Sequence, residues 1–279
     1  MRTALLTGAA LVCFAANSIL CRLALARGAI DPAGFTGLRL ASGALVLALL
    51  ALARPGARPQ ASWSWLSAAA LFAYAAPFSY AYVSLGAGVG ALVLFAVVQA
   101  TMIGWGVARG DRPRLPVWLG LAIAMGGLVG LVAPGASAPD PIGLCAMTVA
   151  GAGWGIYTLR GRGSPIDPVV ANAVSFARTL PVAAVLVAAA GLGHQLTPSP
   201  RGAALAIASG ALASGGGYAL WYAALRGLTV TRAAILQLLV PVIAAAGGVL
   251  MLGEVASLRL VLAGAAILGG VALAVLGRS

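Results

Sequence analysis

The sequence contains no lysine, and only five acidic residues and one histidine stand among its 279 positions. A water-soluble domain carries charge on roughly a quarter of its residues. Here 8% are charged, 62% are hydrophobic, and the mean hydropathy is +1.04. The surface of such a chain has to meet lipid rather than water. All 17 basic residues are arginine, for a formal net charge of +12. They form neither a basic stripe nor an aromatic–basic platform, which argues against nucleic acid as a partner, and they read instead as markers of cytoplasmic helix ends. Cys13, Cys21 and Cys145 lie in apolar stretches without Cys-x-x-Cys spacing or a nearby histidine. That disfavours a disulfide or a metal site and casts them as small core residues. No cofactor is expected.

What is present in quantity is long apolar runs. A membrane span needs roughly 20 mostly apolar residues, and ten stretches fit, at about 4–24, 34–53, 63–84, 88–108, 116–133, 141–159, 169–192, 203–225, 231–251 and 258–276. The first, after Arg2, continues to about Ala26, too long for a cleaved signal, and reads as a span. The breaks carry turn residues: Arg54-Pro55-Gly56, Arg109 to Pro113, Pro134-Gly135, Gly163-Ser164-Pro165 and Thr197 to Pro200. Between spans three and four, Gly86, Gly88 and Gly90 make only a tight turn. With a cytoplasmic N-terminus, eleven arginines fall on inner segments and four on outer ones, while Arg39 and Arg178 fall inside spans. The bias predicts ten spans with both ends in the cytoplasm of a bacterial-type inner membrane.

The chain also repeats. Gly110-Asp111, Leu115 and Gly126-Gly127 recur as Gly253-Glu254, Leu258 and Gly269-Gly270, all 143 residues later. Asp31-Pro32 matches Asp167-Pro168 at an offset of 136, and Ser79-Tyr80-Ala81 resembles Trp221-Tyr222-Ala223 at 142. Five spans is an odd number, so the second half enters the membrane inverted. The arginine bias holds in each half, six to two and five to two. The predicted fold is therefore an all-α membrane protein: ten transmembrane helices in two inverted five-helix repeats, 1–134 and 135–279, around a central cavity, with no extramembrane domain.

Two five-helix halves, each ending in a Gly-acid turn and a glycine-rich last span, resemble the drug/metabolite transporter superfamily, and within it the ten-helix EamA-type members. The resemblance covers essentially the whole chain. It implies export of amino acids or other metabolites, or carriage of nucleotide sugars and sugar phosphates. One departure is that the fourth span has Val98 near the place where the ninth has Pro241.

No acid or histidine falls within a span: Asp31, Asp111, Asp140, Asp167 and Glu254 map to loops or span ends, and His194 to an outer loop. Intramembrane ionisable groups are the usual proton relays and cation sites, so coupling through a buried acid is not expected. A cation antiporter would want a glutamate in the first span, where this chain has Asn17. A nucleophile would lack a base, which disfavours an enzyme.

Aromatic and amide side chains remain. Tyr74, Phe78 and Tyr82 recur at i, i+4 and i+8 beside Pro77, and Tyr218, Trp221 and Tyr222 cluster in the eighth span. Trp154 and Tyr157 share a face of the sixth, Phe95, Gln99 and Met102 one of the fourth, and Gln237 precedes Pro241 in the ninth. With Asn17 these make an aromatic pocket with a few amide and hydroxyl contacts. Trp63, Trp65, Trp118 and Tyr82 equally suit the headgroup level. Arg178 is a candidate for a substrate carboxylate but suits snorkelling better, and Arg39, nearer the outer end of its span, reads as structural. Gly151-x-x-x-Gly155 and Gly126-x-x-x-Gly130 permit close helix contact.

The aromatic crowd is similar to that of the aromatic amino-acid exporters of the YddG type. The function expected is export of a small neutral or zwitterionic metabolite, an aromatic or hydrophobic amino acid first, by alternating access. A sugar-phosphate or nucleotide-sugar carrier would need several cavity arginines or lysines. An integral membrane enzyme, an assembly factor or a channel would need a reactive constellation, a binding domain or a polar ring. The partners expected are a small-molecule substrate and the lipid bilayer, with a monomer compatible.

Overall fold

A computed structural model of the chain describes residues 2–54, 65–110, 112–133, 138–161, 166–228 and 236–277. Among them every regular element is helical: α1 (Arg2–Leu25), α2 (Pro32–Leu52), α3 (Trp65–Ala81), α4 (Ala87–Ala108), α5 (Leu115–Val132), α6 (Pro141–Gly161) and α7 (Pro168–Leu192) come first. They are followed by α8 (Pro200–Leu225), α9 (Leu239–Leu252) and α10 (Leu258–Leu276). Seven of the ten are long and apolar enough to cross a bilayer; α3, α5 and α9 are shorter, at 17, 18 and 14 residues. Trp63, Asp111, Pro134, Gly163 and residues 231–235 of the expected ninth span lie outside the described residues.

Helix starts follow from local chemistry. Asp31 and Asp167 each precede a proline at the first helical position and accept a hydrogen bond from backbone two or three residues on, at 2.7 Å from Gly34 and 2.8 Å from Val169. Ser199 and Ser257 cap α8 and α10 in the same way. Asp140 caps α6, and the Gly143 N–H followed by the Ser84 hydroxyl hold its carboxyl below the usual range. Gly110 and Gly253 both take a left-handed backbone, φ 96° and 69°, which a side chain would strain. This is the local reason for the paired Gly-acid turns.

The exterior is apolar: Leu5, Leu45, Leu119, Val185 and Leu262 are all exposed, as expected where lipid replaces water. Cys145 is exposed on this surface rather than part of the core, while Cys21 is buried and Cys13 half-buried. In lipid an apolar position is not thereby an interior one. Small residues bring helices together. A Cβ on Gly120 or Gly270 would meet the other's backbone, which seats α5 against α10. Gly151 and Gly155 press on Val97 and Thr101 of α4, whereas Gly126 and Gly130 face open space.

The nine most extensively packed pairs are α3–α6, α1–α8, α4–α6, α1–α9, α2–α8, α3–α7, α2–α7, α4–α9 and α5–α10. Replacing each helix by the one five places on returns the same nine; of the smaller contacts, α2–α3 and α7–α8 exchange in this way, whereas α4–α10, α1–α4, α4–α5 and α1–α2 do not. Polar locks tie the two ends of the bundle. At the end remote from the chain's N-terminus, Arg22 pairs with Glu254 at 3.3 Å and donates to the carbonyls of Tyr82 and Val83, while Glu254 accepts the Ala87 N–H at the start of α4. At the opposite end Arg54 pairs with Asp167 at 2.6 Å.

Candidate functional site

Helices α1, α3, α4, α6 and α8, with the segment leading into α9, converge on an interior cavity lined by Phe14, Asn17, Ser18, Tyr74, Phe78, Leu94, Phe95, Trp154, Ala213, Tyr218 and Gln237. Seven of these were expected from the sequence: Asn17, Tyr74, Phe78, Phe95, Trp154, Tyr218 and Gln237. The cavity is small, about 20 Å³, on the order of one water molecule. A substrate therefore enters only if side chains or helices move.

Its wall is a chain of rings. Trp154 lies 5.0 Å from Tyr74 and 5.1 Å from Tyr218, and Tyr218 sits edge-on to Phe14 and Phe176 at 6.0 and 5.8 Å. These separations are those of favourable aromatic pairs. The row Tyr74–Phe78–Tyr82 is in ring contact, tilted at 5.2 Å and then edge-on at 4.7 Å. Helix α3 ends at Ala81, so Tyr82 belongs to the turn, fully buried in the protein and outside the cavity lining. Trp65 and Trp118 are exposed.

Behind the rings runs a hydrogen-bonded line across four helices, α1, α2, α3 and α8. The Ser209 hydroxyl donates to Asn17 Oδ1 at 2.6 Å, Asn17 Nδ2 donates to the Tyr74 oxygen at 3.1 Å, and Arg39 Nη2 donates to the same oxygen at 2.8 Å. Arg39 Nε reaches the Ser214 hydroxyl at 3.3 Å. Ser209 and Ser214 stand on a π-helical stretch of α8, Ser209–Gly216. Such a stretch adds a residue to the turn and is frequent at functional sites. Gly210 in that stretch lies against the Arg39 carbonyl, where a Cβ would collide, so α8 approaches α2 backbone to backbone.

The remaining expected residues lie elsewhere. Tyr157 and Tyr222 line a second small cavity with Asn172 and Pro168, where the Tyr157 hydroxyl donates to Asn172 at 2.7 Å. Trp221 packs behind Phe14 at 5.8 Å, and Gln99 is buried on α4 away from the lining. The Arg178 guanidinium lies 5.0 Å over the Trp65 ring, towards the start of α3 and apart from the cavity. Arg39, in contrast, is 1% exposed and stands directly behind Tyr74 and Phe78, its guanidinium 5.0 and 4.9 Å from their rings. The sequence reading cast Arg39 as structural and did not single out Ser209 and Ser214. It also missed Phe14 and Ser18, although their spacing about Asn17 places all three on one face of α1. Among the described residues no carboxylate or histidine lines the cavity, and no cluster suits a metal.

Comparison with known proteins agrees with this architecture. A crystal structure that is 23% identical superimposes over 96% of this chain and 98% of its own, with a TM-score of 0.67, a likeness of fold. An uncharacterized protein of Pseudomonas aeruginosa is 52% identical over 272 residues, 98% of this chain and 94% of its own length. The model of the EamA-like transporter family matches residues 141–276, which is α6 through α10. The chain is a multi-pass membrane protein that belongs to the EamA-like transporter family, within the drug/metabolite transporter superfamily.

Proposed function

We propose that the chain exports small apolar zwitterions, aromatic or hydrophobic amino acids foremost, across a bacterial-type inner membrane, with both termini cytoplasmic. The observation that carries the reading is the cavity itself: aromatic rings from α1, α3, α4, α6 and α8 around Asn17 and Gln237, with no lining carboxylate. Rings accept flat apolar groups, and the amides and hydroxyls orient a polar head. A sugar phosphate would need several basic groups, and one arginine stands near.

The two five-helix halves act as inverted repeats. The exchange-invariant packing pairs support this, as does a family match that spans one five-helix unit. Alternating access by rocking of one half on the other follows from that arrangement. The Arg22–Glu254–Ala87 lock holds α1, α4 and the α9–α10 turn together at one end, so it has to open when the cavity faces that side. Without an acid in the cavity the cycle runs as facilitated diffusion or exchange rather than proton antiport.

The test is flux in proteoliposomes of the purified protein, with labelled phenylalanine, tryptophan, threonine and a sugar phosphate, with and without a pH gradient. Saturable phenylalanine or tryptophan flux without a gradient is expected. Sugar-phosphate flux would refute the substrate reading, and strict dependence on the gradient would refute the mechanism.

A further inference from the structure

We propose that Arg39 is the anchor for a substrate carboxylate, so that the cavity selects apolar monocarboxylates and an α-ammonium group is dispensable. This rests on the aromatic cavity being the substrate site, and it narrows what that site requires.

Among the described residues Arg39 and Asp31 are the only charged side chains in the buried set, and they do not neutralise one another. Asp31 accepts N–H bonds from Gly34 and Thr197 and lies eight residues before Arg39, roughly 12 Å along the helix. The two described ion pairs, Arg22–Glu254 and Arg54–Asp167, leave Arg39 without a carboxylate. A guanidinium has five N–H donors. Here Nη2 and Nε meet neutral hydroxyls, Tyr74 and Ser214, and Nη1 is buried with no hydrogen-bond partner. A charge kept inside a membrane protein without a counter-ion is costly, and such charges mark substrate or ion pathways.

The geometry shows where an anion fits. Two N–H groups, one of them charged, converge on the single phenolic oxygen of Tyr74, at 3.1 Å from Asn17 and 2.8 Å from Arg39. Tyr74 lines the cavity, as does Asn17. The phenol therefore fills the place of an acceptor that faces the substrate. A carboxylate offers about four lone-pair sites and forms a bidentate pair with a guanidinium, so it satisfies the same donors more fully and reaches Nη1 as well. Swinging the Tyr74 ring aside opens the path from the cavity to the guanidinium.

The amino end of an amino acid meets a different surface. The lining offers it ring faces and Gln237 but no acid, and the nearest buried charge is the like charge of Arg39. The ammonium gains no ion pair there, whereas the carboxylate gains one.

The experiment is competition for labelled phenylalanine counterflow in proteoliposomes of the full chain, paired with binding of the same compounds read by tryptophan fluorescence. The competitors are 3-phenylpropionate, which lacks the amine, and phenethylamine, which lacks the carboxylate. The expected result is 3-phenylpropionate competing within a few-fold of phenylalanine and phenethylamine at least about tenfold more weakly, the range of a charged hydrogen bond. R39Q should weaken 3-phenylpropionate by about tenfold or more, with R39K intermediate, and leave phenethylamine unchanged. Equal competition by both compounds overturns the proposal, as does an R39Q loss that is the same for both. The wild-type series decides without the variant if R39Q fails to stay monodisperse. If no aromatic compound binds or is carried, the cavity reading falls and the carboxylate proposal with it. If phenylalanine is carried and phenethylamine competes as well as 3-phenylpropionate, only the carboxylate proposal falls.

Discussion

Arg39 and Arg178 sit in corresponding helices, α2 and α7, each opened by an Asp-Pro cap, yet they meet different surroundings. Arg39 is 1% exposed, turned towards α3 and α8, and bonded to two hydroxyls. Arg178 is half-buried and lies over Trp65, the exposed first residue of α3. The Asp-to-Arg spacing is eight residues in α2 and eleven in α7, so the two side chains leave their helices on different turns. Nη1 is buried without a hydrogen-bond partner in both arginines, but only Arg39 bonds to the cavity-lining Tyr74. The comparison teaches that depth along a span does not decide an arginine's role; the direction of its side chain does.

Four changes test that contrast. The largest effect is expected from R39Q: carboxylate flux falls about tenfold or more, while R39K retains part of it, measured in proteoliposomes at matched protein content. Next, G210A forces a methyl into the Arg39 carbonyl and should cost about 1–3 kcal/mol by overpacking, read as a lowered melting temperature in detergent. The corresponding loss should be absent for G126A or G130A, which face open space. Third, Y74F removes the oxygen shared by Asn17 and Arg39 and should lower stability by about 1–3 kcal/mol. Added 3-phenylpropionate should then stabilise Y74F by more than it stabilises the wild type, because the anion replaces a lost acceptor rather than competing with one. Equal stabilisation would count against Tyr74 as the stand-in. The smallest effect is expected from R178Q, which should change flux by about twofold or less; a tenfold loss there would erase the distinction between the two arginines.

The lock at the other level of the molecule gives a separate measure. E254A removes both the Arg22 pair and the acceptor for the Ala87 N–H. A cap of this kind is worth about 0.5–2 kcal/mol, so a modest drop in melting temperature is expected. A cysteine pair bridging α1 and the α9–α10 turn should report more frequent opening at that end.

Much of the fold was legible because a bilayer enforces it. Lipid cannot hydrogen-bond a backbone, so every span has to be an apolar helix of a minimum length. The ten expected spans coincide with α1 to α10 within a few residues over the described chain. The paired Asp31-Pro32 and Asp167-Pro168, and Gly110 and Gly253, were legible as repeat signatures; the structure makes the first two helix caps and gives both glycines a left-handed backbone, local chemistry that acts through neighbouring residues.

The site was legible only in its residue types. Helical spacing grouped Tyr74, Phe78 and Tyr82 on one face, and their rings do touch in a row, but the end of α3 at Ala81 left Tyr82 beyond the cavity. Tyr218 and Tyr222 lie one turn apart on the same face of α8, yet they line different cavities, because that turn moves Tyr222 along the helix to the level of Asn172 and Pro168. Sequence alone determined that this chain is a membrane protein built of ten apolar helices, seven of them long enough to cross a bilayer, since that depends on hydropathy and on contacts within a few residues. Only the tertiary structure decided that Arg39 is the buried cation behind the aromatic wall. Its partners Tyr74 and Ser214 lie 35 and 175 residues away, and the direction a helix presents inward is set by which neighbours it packs against.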